Sequence, residues 1–75
     1  MADNKTVARD NLQAMRGYMD KKDYATALSC ARNAMSVLSS EKDLKTKASS
    51  IVAALIGQKY TDAYRLSSEL LAKLK

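Results

Sequence analysis

The 75-residue chain contains no histidine, no proline, no tryptophan and no phenylalanine, and it has a single cysteine. Each absence excludes something. Without histidine the chain lacks the commonest general base and metal ligand. Cys30 has no partner for an internal disulfide and no histidine to activate it as a nucleophile. One thiol and scattered acids do not compose a zinc site. No glycine-rich phosphate loop is present. These gaps predict a chain that is not an enzyme, with no metal, no cofactor and no small-molecule substrate. No apolar run is long enough to cross a bilayer, so no membrane association is expected. The opening Met1-Ala-Asp-Asn-Lys-Thr lacks the apolar centre of a signal peptide. With one cysteine, that predicts a reduced, cytoplasmic protein.

What remains is a composition for helix. Alanine, leucine, lysine and methionine are strong helix formers, and only Gly17 and Gly57 interrupt them. The expected fold is all-α: four helices in one domain over 1–75, arranged as two antiparallel hairpins over about 4–39 and 41–74. Asp3 or Asn4 suits the start of the first helix, where a short side chain accepts from an orphan amide. Ala8, Leu12, Met15 and Met19 then mark one helical face up to about Asp20. Gly17 suits either a close approach by a neighbouring helix or a tolerated site near a helix end. Asp23 is placed to cap a second helix reaching about Ser39, with Tyr24, Ala27, Ala31, Ala34 and Leu38 inside. Ser40 followed by Asp43 resembles a capping box for a third helix over 41–56. Gly57 suits the left-handed residue after its end. A fourth helix over 60–73 buries Tyr60, Ala63, Leu70, Leu71 and Leu74.

The two hairpins align on each other. Tyr24 and Tyr60 lie 36 positions apart, and at the same offset Ala27 falls on Ala63, Leu38 on Leu74 and Met15 on Ile51. Paired helices of about 34 residues are the period of tetratricopeptide repeats. That family's second helix opens with Gly-Asp-Tyr, continues to a small alanine and carries another alanine seven positions on. Lys22-Asp23-Tyr24, Ala27 and Ala34 occupy those places, and Lys59, Tyr60 and Ala63 do so in the second unit. Residues 8–74 therefore resemble a divergent tetratricopeptide-like pair. Leu70 stands where the later alanine belongs. The family's Trp, Leu and Gly places hold Asn11, Ala14 and Met15, then Lys47, Ser50 and Ile51, and its closing proline is absent. The resemblance implies a TPR-like scaffold for binding peptides or proteins and transfers no binding site. A compact four-helix bundle is the other arrangement open to the pattern.

Two functional expectations follow. The first is a small protein-interaction module, an adaptor, co-chaperone or inhibitory regulator, whose partner is a larger protein or a second copy in a dimer. Tyr18, Tyr64, Leu66 and Leu70 are its candidate contact residues, because the apolar residues of the outer helices span more circumference than one neighbour covers. The Leu66 side chain is the clearest outward-facing candidate. The second is nucleic-acid binding, prompted by 13 basic against 8 acidic residues and a net charge of +5. Lys42, Lys45 and Lys47 in the third helix would carry it. Tyr24 and Tyr60 are expected to wedge each hairpin closed.

Overall fold

The computed structural model describes residues 3–74. Helix α1 spans Asn4–Asp20, α2 Tyr24–Val37, α3 Lys42–Ile56 and α4 Tyr60–Lys73. Among the described residues there is no strand. The all-α class and the four helices are as expected. Asp3 caps α1, its carboxylate accepting from the Thr6 amide at 2.7 Å. That bond holds the Asp3 carboxyl below its ordinary pKa. Asp23 caps α2 in the same way, accepting from the Thr26 amide at 3.3 Å and from the Thr26 hydroxyl at 2.8 Å. The third helix departs from expectation. It starts after Glu41, with no side-chain cap, so Ser40 and Asp43 form no capping box.

Both hairpin turns close by one device. In the first, the Asp23 amide donates to the Tyr18 carbonyl at 2.8 Å and the Lys22 amide to the Met19 carbonyl at 2.9 Å. In the second, Lys59 donates to Ala54 at 2.8 Å and Gln58 to Leu55 at 3.1 Å. This is the paired-bond closure in which the residue just past the helix turns left-handed. Lys22 and Gln58 take that conformation, at φ 62° and 61°. Gly57, expected there, sits one residue early at φ −80°. A Cβ built on Gly17 meets nothing within 4 Å, so no helix approaches it closely.

The 36-residue offset holds through the interior. Leu12, Met15 and Met19 are buried, as are Ala48, Ile51 and Leu55 at the matching positions. Ala27, Ala31, Ala34 and Leu38 are matched by Ala63, Ser67, Leu70 and Leu74. Ser67 satisfies its hydroxyl by donating to the Tyr64 carbonyl at 2.7 Å. Apart from Ser67, these residues form one apolar cluster. Each fully buried Leu, Ile or Met side chain within it contributes about 1.5–3 kcal/mol.

The helices are neighbours in a cycle: α1 packs on α2, α2 on α3, α3 on α4, and α4 returns to α1. Neither diagonal pair brings its backbones close together. The first three pairings are extensive, whereas α1 and α4 meet over a short stretch. That stretch borders the candidate site.

Candidate functional site

The Asp23 cap and the Gln58 turn set Tyr24 and Tyr60 as the first residues of α2 and α4. Both helices start at the same end of the molecule. The two rings stack face to face, centroids 3.7 Å apart and planes 4° from parallel. Each tyrosine thus meets its counterpart from the other hairpin, a contact the wedge reading did not include. Beside the stack lies an open cleft of about 450 Å³, walled by Met19 and Asp20 at the end of α1, by both stacked tyrosines, and by Thr61 and Tyr64 of α4. Tyr64 is 36% exposed. The Arg16 guanidinium lies over its ring, 4.1 Å from the centroid, joining α1 to α4.

Charges around the cleft divide into engaged and open. Arg65, also in the lining, bridges Glu69 at 3.2 Å and Asp62 at 3.6 Å. Glu69 in turn accepts from Lys47 of α3 at 2.7 Å. The Lys47 hydrogen bond and charge, assisted by the Arg65 charge, hold the Glu69 carboxyl below the ordinary glutamate range. Among the described residues no ion pair engages Arg16. Cys30 is half-buried on α2, outside the cleft lining, and burial pushes its thiol pKa up, away from nucleophilic thiolate.

The four candidate contact residues do not converge. Tyr64 lines the cleft. Tyr18 is half-buried and carries Lys21 6.0 Å over its ring. Two positions from Arg16, it faces the other flank of α1. Leu66 is half-buried against the core and edges a separate depression beside Ala53, Ala54 and Gly57. Leu70 is fully buried, so its placement on a contact surface is corrected. It lies on the α4 face of Ala63, Ser67 and Leu74, all interior, and that face is covered by the core.

The lysine trio divides as well. Lys42 and Lys45 are exposed and line a shallow depression on α3 with Thr46, Ser49, Ser50 and Ala53. Lys47, two positions beyond Lys45, turns to the opposite flank and is taken by Glu69. The three are therefore not one cationic patch.

Sequence reading missed three surface features: the tyrosine stack, Arg16 over Tyr64, and, apart from these, Ile56. Ile56 ends α3 at 59% exposure, the most exposed large apolar residue among those described. The internal register held a signal for it, since the position 36 residues earlier is Asp20, a charged and exposed residue. Among the described residues no group of three or more His, Cys, Asp or Glu is placed to hold a metal ion. No described helix is long and apolar enough to cross a membrane. No protein-family profile matches the chain, and no curated protein or solved structure shows significant similarity to it.

Proposed function

We propose that this chain is a small, non-enzymatic protein-interaction module, acting in the cytoplasm as an adaptor, co-chaperone or regulator that grips another protein or a second copy of itself. The observation that carries the reading is the open cleft at the α1–α4 corner, where Tyr24, Tyr60 and Tyr64 present ring surface beside Met19. Tyrosine and methionine are enriched at the centres of protein interfaces, tyrosine because it supplies a large contact area at low conformational cost and methionine because it adapts its shape to the partner. The resemblance to tetratricopeptide-like hairpins points the same way. Placing a photo-crosslinking aromatic amino acid at position 64 in the native host tests it. A defined protein adduct supports the reading, and sedimentation of the purified chain separates a foreign partner from a second copy. Irradiation that yields no protein adduct above background overturns it.

A second reading, nucleic-acid binding, keeps the support of Lys42 and Lys45, which stand together on the exposed face of α3. Phosphate contacts of that kind weaken steeply with salt. A low-salt gel shift that vanishes in a Lys42→Gln, Lys45→Gln variant would favour it over the first reading.

A further inference from the structure

The α1–α4 seam has two unlike walls. Arg16 faces α4, as its position over Tyr64 shows. Arg9 lies seven residues before it and Lys5 four before that. That spacing puts all three cations on the flank of α1 that borders the seam. Among the described residues no ion pair engages any of them. The facing flank of α4 carries Tyr64, Ser68 and Leu71, again at helical spacing, with Tyr64 and Ser68 exposed and Leu71 half-buried. No acid stands on that α4 flank. Asp62 and Glu69 are drawn to Arg65, and Glu69 also to Lys47. The acids near the cationic wall are at its two ends. Asp20 lines the cleft at the end of α1, and Asp3, engaged by the Thr6 amide, feels the Arg9 charge.

The internal register makes the seam more telling. Under the 36-residue equivalence, α4 against α1 corresponds to α2 against α3. The second pair packs extensively and the first does not. The molecule thus has one filled seam and one splayed equivalent. The splayed one is cationic on one side, and aromatic and aliphatic on the other.

We infer that the α1–α4 seam is the docking groove for an acidic amphipathic helical segment of another protein, its apolar face against Tyr64 and Leu71 and its carboxylates toward Lys5, Arg9 and Arg16. This rests on the protein-binding reading and names the chemistry of the partner. Helix-in-groove recognition uses an apolar stripe for affinity and flanking charge for orientation. A nucleic-acid strand matches the cations, but its phosphodiester backbone offers no aliphatic face for Leu71.

The test uses the full chain and a synthetic amphipathic peptide with leucines and one tryptophan on one helical face and glutamates on the other. The protein has no tryptophan, so the peptide's emission reports binding alone. The expected result is a blue shift on titration. Affinity should fall at least about tenfold for a lysine-for-glutamate twin, and likewise for an Arg9→Gln, Arg16→Gln variant of unchanged helicity. If that pair unfolds, Arg9→Gln alone should still weaken the glutamate peptide relative to a glutamine twin. Equal affinity for the lysine twin overturns the inference, and so does tighter binding of oligothymidylate. If no peptide binds while the position-64 crosslinker still yields a protein adduct, the acidic helix is rejected and the interaction reading stands. Loss of both rejects both.

Discussion

Tyr24 and Tyr60 overlap almost ring on ring, with centroids 3.7 Å apart and planes 4° from parallel. Aromatic carbons settle at about 3.5–4.0 Å, so this separation leaves little lateral offset. Ring quadrupoles favour an offset or edge-on approach. The overlap is therefore imposed by where the two hairpin turns set the helix starts, more than by attraction between the rings. A double-mutant cycle with Tyr24→Leu and Tyr60→Leu should give a coupling of about 0.5 kcal/mol, the low end for aromatic pairs. A coupling well above that would mean the rings draw the hairpins together.

Left-handed backbone at a non-glycine residue is disfavoured by about 1–2 kcal/mol. Lys22 and Gln58 both carry it. Lys22→Gly and Gln58→Gly should each raise stability by about 0.5–1 kcal/mol, because relief of that strain outweighs the extra freedom of the unfolded chain. Gly17 is the reverse case, helical and open around its missing Cβ. Gly17→Ala should also stabilise, by roughly 0.5–1 kcal/mol. Urea titration of the three variants checks that all three gain stability.

Ala27 and Ala63 are fully buried and equivalent in the two hairpins. Enlarging either to leucine adds atoms where close packing leaves no room, and should lower stability by about 1–3 kcal/mol. An unchanged melting temperature for Ala27→Leu would contradict its place in the interior.

The Lys47–Glu69 bridge gives an acid-side signature. Folding depresses the Glu69 carboxyl below its ordinary value of 4.5, through Lys47 first and Arg65 second. A group depressed in the folded state stabilises above its unfolded pKa, and that contribution is lost as pH falls through the folded one. As pH falls below that ordinary value of 4.5, wild type should therefore lose more stability than Glu69→Gln, while the two should run parallel between there and neutrality. Added salt should shrink the difference, since the pair is partly exposed. Identical pH profiles for the two proteins would show that the bridge carries no net interaction.

The fold was legible because helix is written locally. The caps at Asp3 and Asp23 and the apolar spacing in all four segments come from contacts within one or two turns. The expected helix ends fall within about two residues of those observed, the usual fraying margin. The repeat offset carried over into burial, residue by residue, because hairpins with equivalent turns present equivalent faces. The site was less legible, because helical period says which residues share a face but not which neighbour covers it. Leu70 and Leu66 both stood among the candidate contact residues, yet the core covers Leu70 fully and Leu66 only partly. The Tyr24–Tyr60 stack and the Arg16–Tyr64 contact join residues distant in sequence, and no local rule pairs them. The Lys47 side chain looked like a neighbour of Lys45 along the chain, but the helix turned it to the other flank.

The cycle of neighbours also bears on how the molecule forms and breathes. Three of the four helix pairings join consecutive helices, so most of the fold assembles by closing short loops, the topology of rapid folders. Only the α1–α4 seam must draw together opposite ends of the chain, and it secures the least contact in return. Local opening is easiest where few buried contacts resist it. The seam can part while α1–α2, α2–α3 and α3–α4 stay packed, which places the proposed groove at the joint the molecule opens most readily.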